Sequence, residues 1–185
     1  MRVFKLSMQF AAFFMMFIFI ACASTNSTSI WKDKTYQGHP EKILVINAFP
    51  NPGSRRLFED ELVRALKDRR VNAVVSYSVM PDPIVSDKDA ITDEETFRKC
   101  LQDVGADTVL INRSVGKPRG EPRGEVVATF IDMQTDVYDM KSNRLVLSVQ
   151  EKERIPHNTP SSPLIKSYVE DLVNNLSKAG ILSKR

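Results

Sequence analysis

Between Phe10 and Ile20 the chain carries an unbroken apolar run of Phe, Ala, Met and Ile, and the run closes on Ala21-Cys22. Arg2 and Lys5 precede it. This is about half of the ~20 apolar residues a membrane-spanning helix requires, so it reads as the hydrophobic region of a signal peptide behind a short positive segment. Its end matters as much as its length. A small residue directly before a cysteine is what a signal peptidase needs to reach the peptide bond. The segment also distorts the composition: six of the ten Phe and four of the seven Met lie before residue 22. Met1 to Ala21 holds 17 hydrophobic residues in 21, and the remaining 164 residues are about 37% hydrophobic, a level that supports one folded domain. A polytopic membrane protein is excluded by the single short run, and a disulfide scaffold by a count of two cysteines, Cys22 and Cys100. Beyond Lys5 the charge is 24 basic against 23 acidic groups, so no field for nucleic acid follows.

The series Phe19-Ile20-Ala21-Cys22 resembles the lipobox of bacterial lipoproteins, with Phe19 where that family favours Leu. The resemblance implies a cleaved signal peptide at 1–21 and diacylglyceryl and palmitate-type acylation of Cys22, which becomes the new N-terminus. Ala23 stands where the family's inner-membrane retention signal has Asp, which implies the outer membrane, on its periplasmic side. Two or three acyl chains give stable anchoring where one is marginal. Ser24 to Ser29 reads as a polar tether, so residues 22–40 are expected to link the anchor to a soluble domain at 41–185.

That domain is expected to be single and α/β (α+β), with a mixed sheet of about five strands in the order βαβαβ-ββ-α. Lys42 to Asn47 is an apolar run bounded by Pro40 and Pro50-Asn51-Pro52-Gly53, the pattern of a buried strand. Ser54 is placed to cap a helix with Phe58, Leu62, Val63 and Leu66 inward and Glu59, Asp60, Arg64 and Lys67 outward. Val71 to Val79 resumes strand character, and residues 82–91 read as a loop after Pro81-Asp82-Pro83. Thr92-Asp93-Glu94-Glu95 is a capping box, and its helix buries Phe97, Cys100, Leu101 and Val104 before Gly105. Thr108 to Asn112 forms a third strand, followed by a turn-rich loop at Gly116 to Glu125. Then Val127, Ile131, Met133 and Val137 alternate along one strand, and Leu145, Leu147 and Val149 along the next, joined as a hairpin near Lys141-Ser142-Asn143. Ser162-Pro163 opens a last helix whose stripe is Ile165, Tyr168, Val169, Leu172 and Leu176.

Catalytic patterns are sparse. His39 and His157 have no ligand-spaced partners, so neither a metal nor a cofactor is implied. There is no Gly-x-Ser-x-Gly elbow, and Cys100 on an apolar stripe disfavours a thiolate. Asp132, Asp136 and Asp139 read as a solvated strand edge rather than paired catalytic acids. The loop Asn51 to Arg56 is the one segment with binding chemistry: helix amides, Ser54, Arg55 and Arg56 could hold an anion, though it lacks the Lys-Ser/Thr of a phosphate loop. The sole tryptophan, Trp31, either covers a sheet edge or rests at a membrane interface, and covering is preferred.

The strand at 43–47 leading to an amphipathic helix, Val104-Gly105-Ala106-Asp107 leading into a strand, and Val137-Tyr138-Asp139-Met140 at the hairpin together resemble a group of envelope lipoproteins. Their soluble domains are similar to the amino-terminal domain of TolB, and the group includes the curli secretion lipoprotein CsgG and the synthase activator LpoB. The resemblance implies a non-enzymatic binding or assembly factor whose partners are an envelope protein or its own copies. The short tether is unlike the activators, and Asp132, Gln134 and Asp136 are unlike the lipid-facing hairpins of the pores. The alternative is a lipoprotein enzyme or small-anion or nucleotide binder using residues 51–56.

Overall fold

Lys42–Asn47 (β2) has five consecutive buried residues from Ile43, which a strand can accommodate only when both faces of its sheet are covered. The computed structural model describes residues 28–49, 51–80, 94–120, 128–156 and 161–182. In chain order its elements are β1 (Thr28–Lys32), β2, α1 (Pro52–Asp68), β3 (Asn72–Val75), a short 3-10 turn at Ser76–Ser78, α2 (Glu94–Val104), β4 (Thr108–Gly120), β5 (Ala128–Asp139), β6 (Arg144–Pro156) and α3 (Ser161–Lys178). The mixed α/β class is as expected. The six strands form one sheet in the order β1-β6-β5-β4-β2-β3.

β2 pairs in parallel with β3 and with β4, while β4, β5, β6 and β1 pair antiparallel in succession. The chain moves outward from β2 to β3 through α1, then back past β2 to β4 through α2. Two crossovers of one hand made in opposite directions put their helices on opposite faces. Ile43, Val45, Leu110, Met133, Val137, Leu147 and Val149 accordingly pack with α1 and α3, whose Leu62, Leu66, Leu172 and Leu176 are fully buried. Each such side chain contributes about 1.5–3 kcal/mol of burial. The other face gathers Leu44, Ile46, Val109 and Ile111 under Phe97 and Leu101 of α2.

Several expectations are corrected. Thr28 and Ser29, read as tether, belong to a sixth strand, because β6 is long enough to offer Leu147 to Glu151 as a pairing edge. Asn51, not Ser54, caps α1: its side chain accepts from the Ser54 amide at 3.0 Å, with Pro52 at the start of the helix. β3 stops at Val75, where the 3-10 turn begins. β4 continues to Gly120 through much of the segment read as a loop, since β5 supplies a partner as far as Thr129. In β6, a register shift between the Val137 and Tyr138 pairs inserts an extra residue, so Val146 joins Leu147 and Val149 in the core in place of Leu145. The hairpin falls where expected, with Asn143 at φ 53°. Glycine at 105 (φ 64°) ends α2, and Cys100 is half-buried, its thiol donating to the Val79 carbonyl. The capping box at Thr92, the loop at 82–91, Val127 and His157 lie outside the described residues.

Candidate functional site

The buried polar groups decide which surfaces remain for binding. Glu59 was expected outside, yet it is fully buried where α1 crosses the sheet. Its carboxylate accepts from the Asn47 amide (3.0 Å), Arg55 Nε (3.2 Å), the Ser76 amide and hydroxyl (both 2.7 Å) and the Tyr77 amide (3.3 Å). Arg55 also donates to the Ser76 hydroxyl at 2.8 Å. One ion pair thus ties α1 to the ends of β2 and β3, with its remaining lone pairs satisfied, the condition under which a buried pair is tolerated.

This placement separates the residues proposed for an anion. Arg55 points inward to Glu59, the Ser54 amide is engaged by Asn51, and Arg56 lies on the surface with its guanidinium 5.3 Å from the centre of the Tyr77 ring. The three residues do not converge. Cys22 lies outside the described residues. Among the described residues no group of three or more His, Cys, Asp or Glu is arranged to hold a metal ion, and no helix is long and apolar enough to cross a membrane.

Next to this pair, Asn112 donates to Asn47 Oδ1 at 3.0 Å and accepts from the hydroxyls of Thr135 and Tyr168, both at 2.9 Å. The cluster joins β2, β4, β5 and α3 under the aromatic stack Phe49–Phe58–Tyr168. Burial pushes the Tyr168 phenol well above its usual range, so it remains a neutral donor. Asp107, of the Gly-Ala-Asp segment, has an equally structural task. Partial burial raises its pKa, but the amides of Lys42 and Glu41 outweigh that and hold it below the usual carboxylate range. It fixes the start of β2 to the start of β4.

The two faces of the sheet differ at its antiparallel end. On the α3 side Glu151 is buried with one oxygen accepting from Asn175 at 2.6 Å and the other, Oε2, without a hydrogen bond. Burial, the neighbouring charge of Glu153 and that of Asp171 push it up to about 7, against the pull of Asn175. On the opposite side α2 covers only the β2–β4 portion. Beyond it a polar belt crosses three strands: Asp136 accepts from Arg113 (2.8 Å), Gln134 (2.9 Å) and Ser148 (2.6 Å), and Gln150 reaches Gln134 at 3.4 Å. Asp136, expected on a solvated edge, is therefore enclosed by its neighbours. Register places Trp31 beside Ser148 on this same face, and Trp31 is exposed rather than covering the edge. Sequence periodicity missed the belt because alternating polar residues look alike whether they face bulk water or a partner.

The described residues form a mixed α/β domain in which no described helix covers one face of the antiparallel half of the sheet. PelC from Paraburkholderia phytofirmans, solved as a dodecamer in two crystal forms, one of them of a point variant, has a similar fold. The TM-scores are 0.55 and 0.53 at 9% identity, covering 86% of this chain and 99% of that one. The lipoprotein GNA1162 from Neisseria meningitidis gives a TM-score of 0.45 at 17% identity, covering 75% and 99%. No family model matches the sequence, and no curated protein matches it.

Proposed function

We propose that this chain is a non-enzymatic binding or assembly protein of the bacterial cell envelope. Lipid on Cys22 anchors it, and association with copies of itself through the open half of its sheet is its mode of action. The observation that carries this reading is that open half. Arg113, Gln134, Asp136, Ser148 and Gln150 are fixed by mutual hydrogen bonds on a face that no described helix covers. A pre-ordered polar surface loses little side-chain entropy when a partner arrives. The fold likeness to a dodecamer and the lipobox at 19–22 both support it. The outer membrane, facing the periplasm, is the proposed location, from Ala23 after the cysteine.

Cross-linking of the lipidated protein in membranes tests the reading. Wild type is expected to form oligomers, and Gln150→Arg, which places a charge on an exposed position of the belt, is expected to reduce them without lowering the melting temperature. Monomer alone in wild type, with no other envelope protein captured, contradicts the proposal.

A further inference from the structure

Trp31 and Ile30 are the large apolar side chains exposed among the described residues, at 51% and 42%. They are consecutive on β1, so they project to opposite faces of the sheet and leave its rim apolar on both sides. β1 is an edge strand hydrogen-bonded to β6. Exposed edges of this kind are normally blunted by charge, Pro or a covering element, because their bare amides and carbonyls invite pairing.

Chain length indicates what covers this one. Five residues, 23–27, separate Cys22 from Thr28. Even fully extended they let Thr28 stand no more than ~20 Å from Cys22. Trp31 lies three strand residues further, ~10 Å. With lipid on Cys22, the rim therefore stays within ~30 Å of the membrane surface.

We propose that the β1 edge docks on the lipid bilayer, with the Trp31 indole seated at headgroup level and Ile30 beside it. This rests on the reading of Cys22 as lipidated. An indole has an apolar body and an N–H donor, which suits the boundary between acyl chains and headgroups. Exposed Lys34, three residues on, adds attraction to anionic headgroups. Docked in this way, the sheet stands edge-on to the bilayer, and the polar belt behind Trp31 faces sideways toward a neighbouring copy.

Because Trp31 is the single tryptophan, its fluorescence reports on this site alone. The mature protein is reconstituted in phosphatidylcholine–phosphatidylglycerol vesicles after its intact mass has been measured. The expected result is an acylated Cys22, a blue-shifted emission, and quenching by lipids brominated near the headgroup end of the acyl chain. Acylated protein whose emission is not quenched by brominated lipid overturns the docking while leaving the anchor intact. A blue shift without such quenching that grows with protein density assigns the edge to a second copy and also overturns it. An unacylated chain removes the anchor reading itself, and the docking with it.

Discussion

Glu59 shows how much one carboxylate can organise and how little of that is visible in a helical pattern. Periodicity marks Phe58, Leu62 and Leu66 as inward, but a charged neighbour on the flank of that stripe reads as solvated whether or not it is. What distinguishes Glu59 is three-dimensional: the amides of Asn47, Ser76 and Tyr77 converge on it from outside its helix and join the Arg55 guanidinium one turn earlier in α1. Glu59→Ala leaves Arg55 buried without its partner and is expected to cost about 3–5 kcal/mol, measured as a lower urea midpoint. Glu151 behaves in the opposite sense. Folded, its carboxyl holds a proton up to about pH 7; unfolded, it releases it near 4.5, so the folded state binds more protons across that window. Its ionisation therefore destabilises the fold as pH rises from 4.5 through 7, by up to about 3 kcal/mol. Glu151→Gln should raise the melting temperature at pH 8 and have little effect at pH 4.5. A variant equally destabilised at both pH values contradicts this account.

At the scale of elements, the strands and helices with clean apolar periodicity were legible: β2, the body of α1, α3 and the turn of the β5–β6 hairpin stand where their patterns put them. The misreadings share a cause, which is that a partner strand decides where an ambiguous segment stops. Thr28 and Ser29 have the composition of a linker and become a strand because β6 presents free hydrogen-bonding groups to them. Gly116 to Gly120 has turn composition and yet follows β5 as an extended edge past an irregularity between Val115 and Arg119. Val146 displaces Leu145 from the core because of a one-residue shift that period-two reading cannot anticipate. The start of α1 was misplaced by three residues, since Ser54 and Asn51 are both good caps and the choice falls to whichever side chain reaches a free amide. Asn51→Ala should accordingly cost about 1 kcal/mol in thermal or urea unfolding, whereas Ser54→Ala should leave stability almost unchanged.

For the whole molecule, fold class followed from the order of elements, while the interaction surface did not. The resemblance to a lipobox is a local, linear signal carried by Phe19 to Cys22, which lie outside the described residues. The open sheet face depends on which half of the sheet α2 covers, and no local pattern encodes that. In the loop at 51–56 the residue types suit an anion, and tertiary packing, which no local pattern encodes, turns Arg55 toward Glu59. In the proposed function, lipid at Cys22 holds the domain at the membrane and the polar belt meets a neighbouring copy. Native mass spectrometry of the mature protein released from membranes in detergent reads both parts at once. It is predicted to show multiples of a chain that begins at Cys22 and carries acyl chains. A chain without acyl mass, or an acylated monomer with no bound protein, would contradict it.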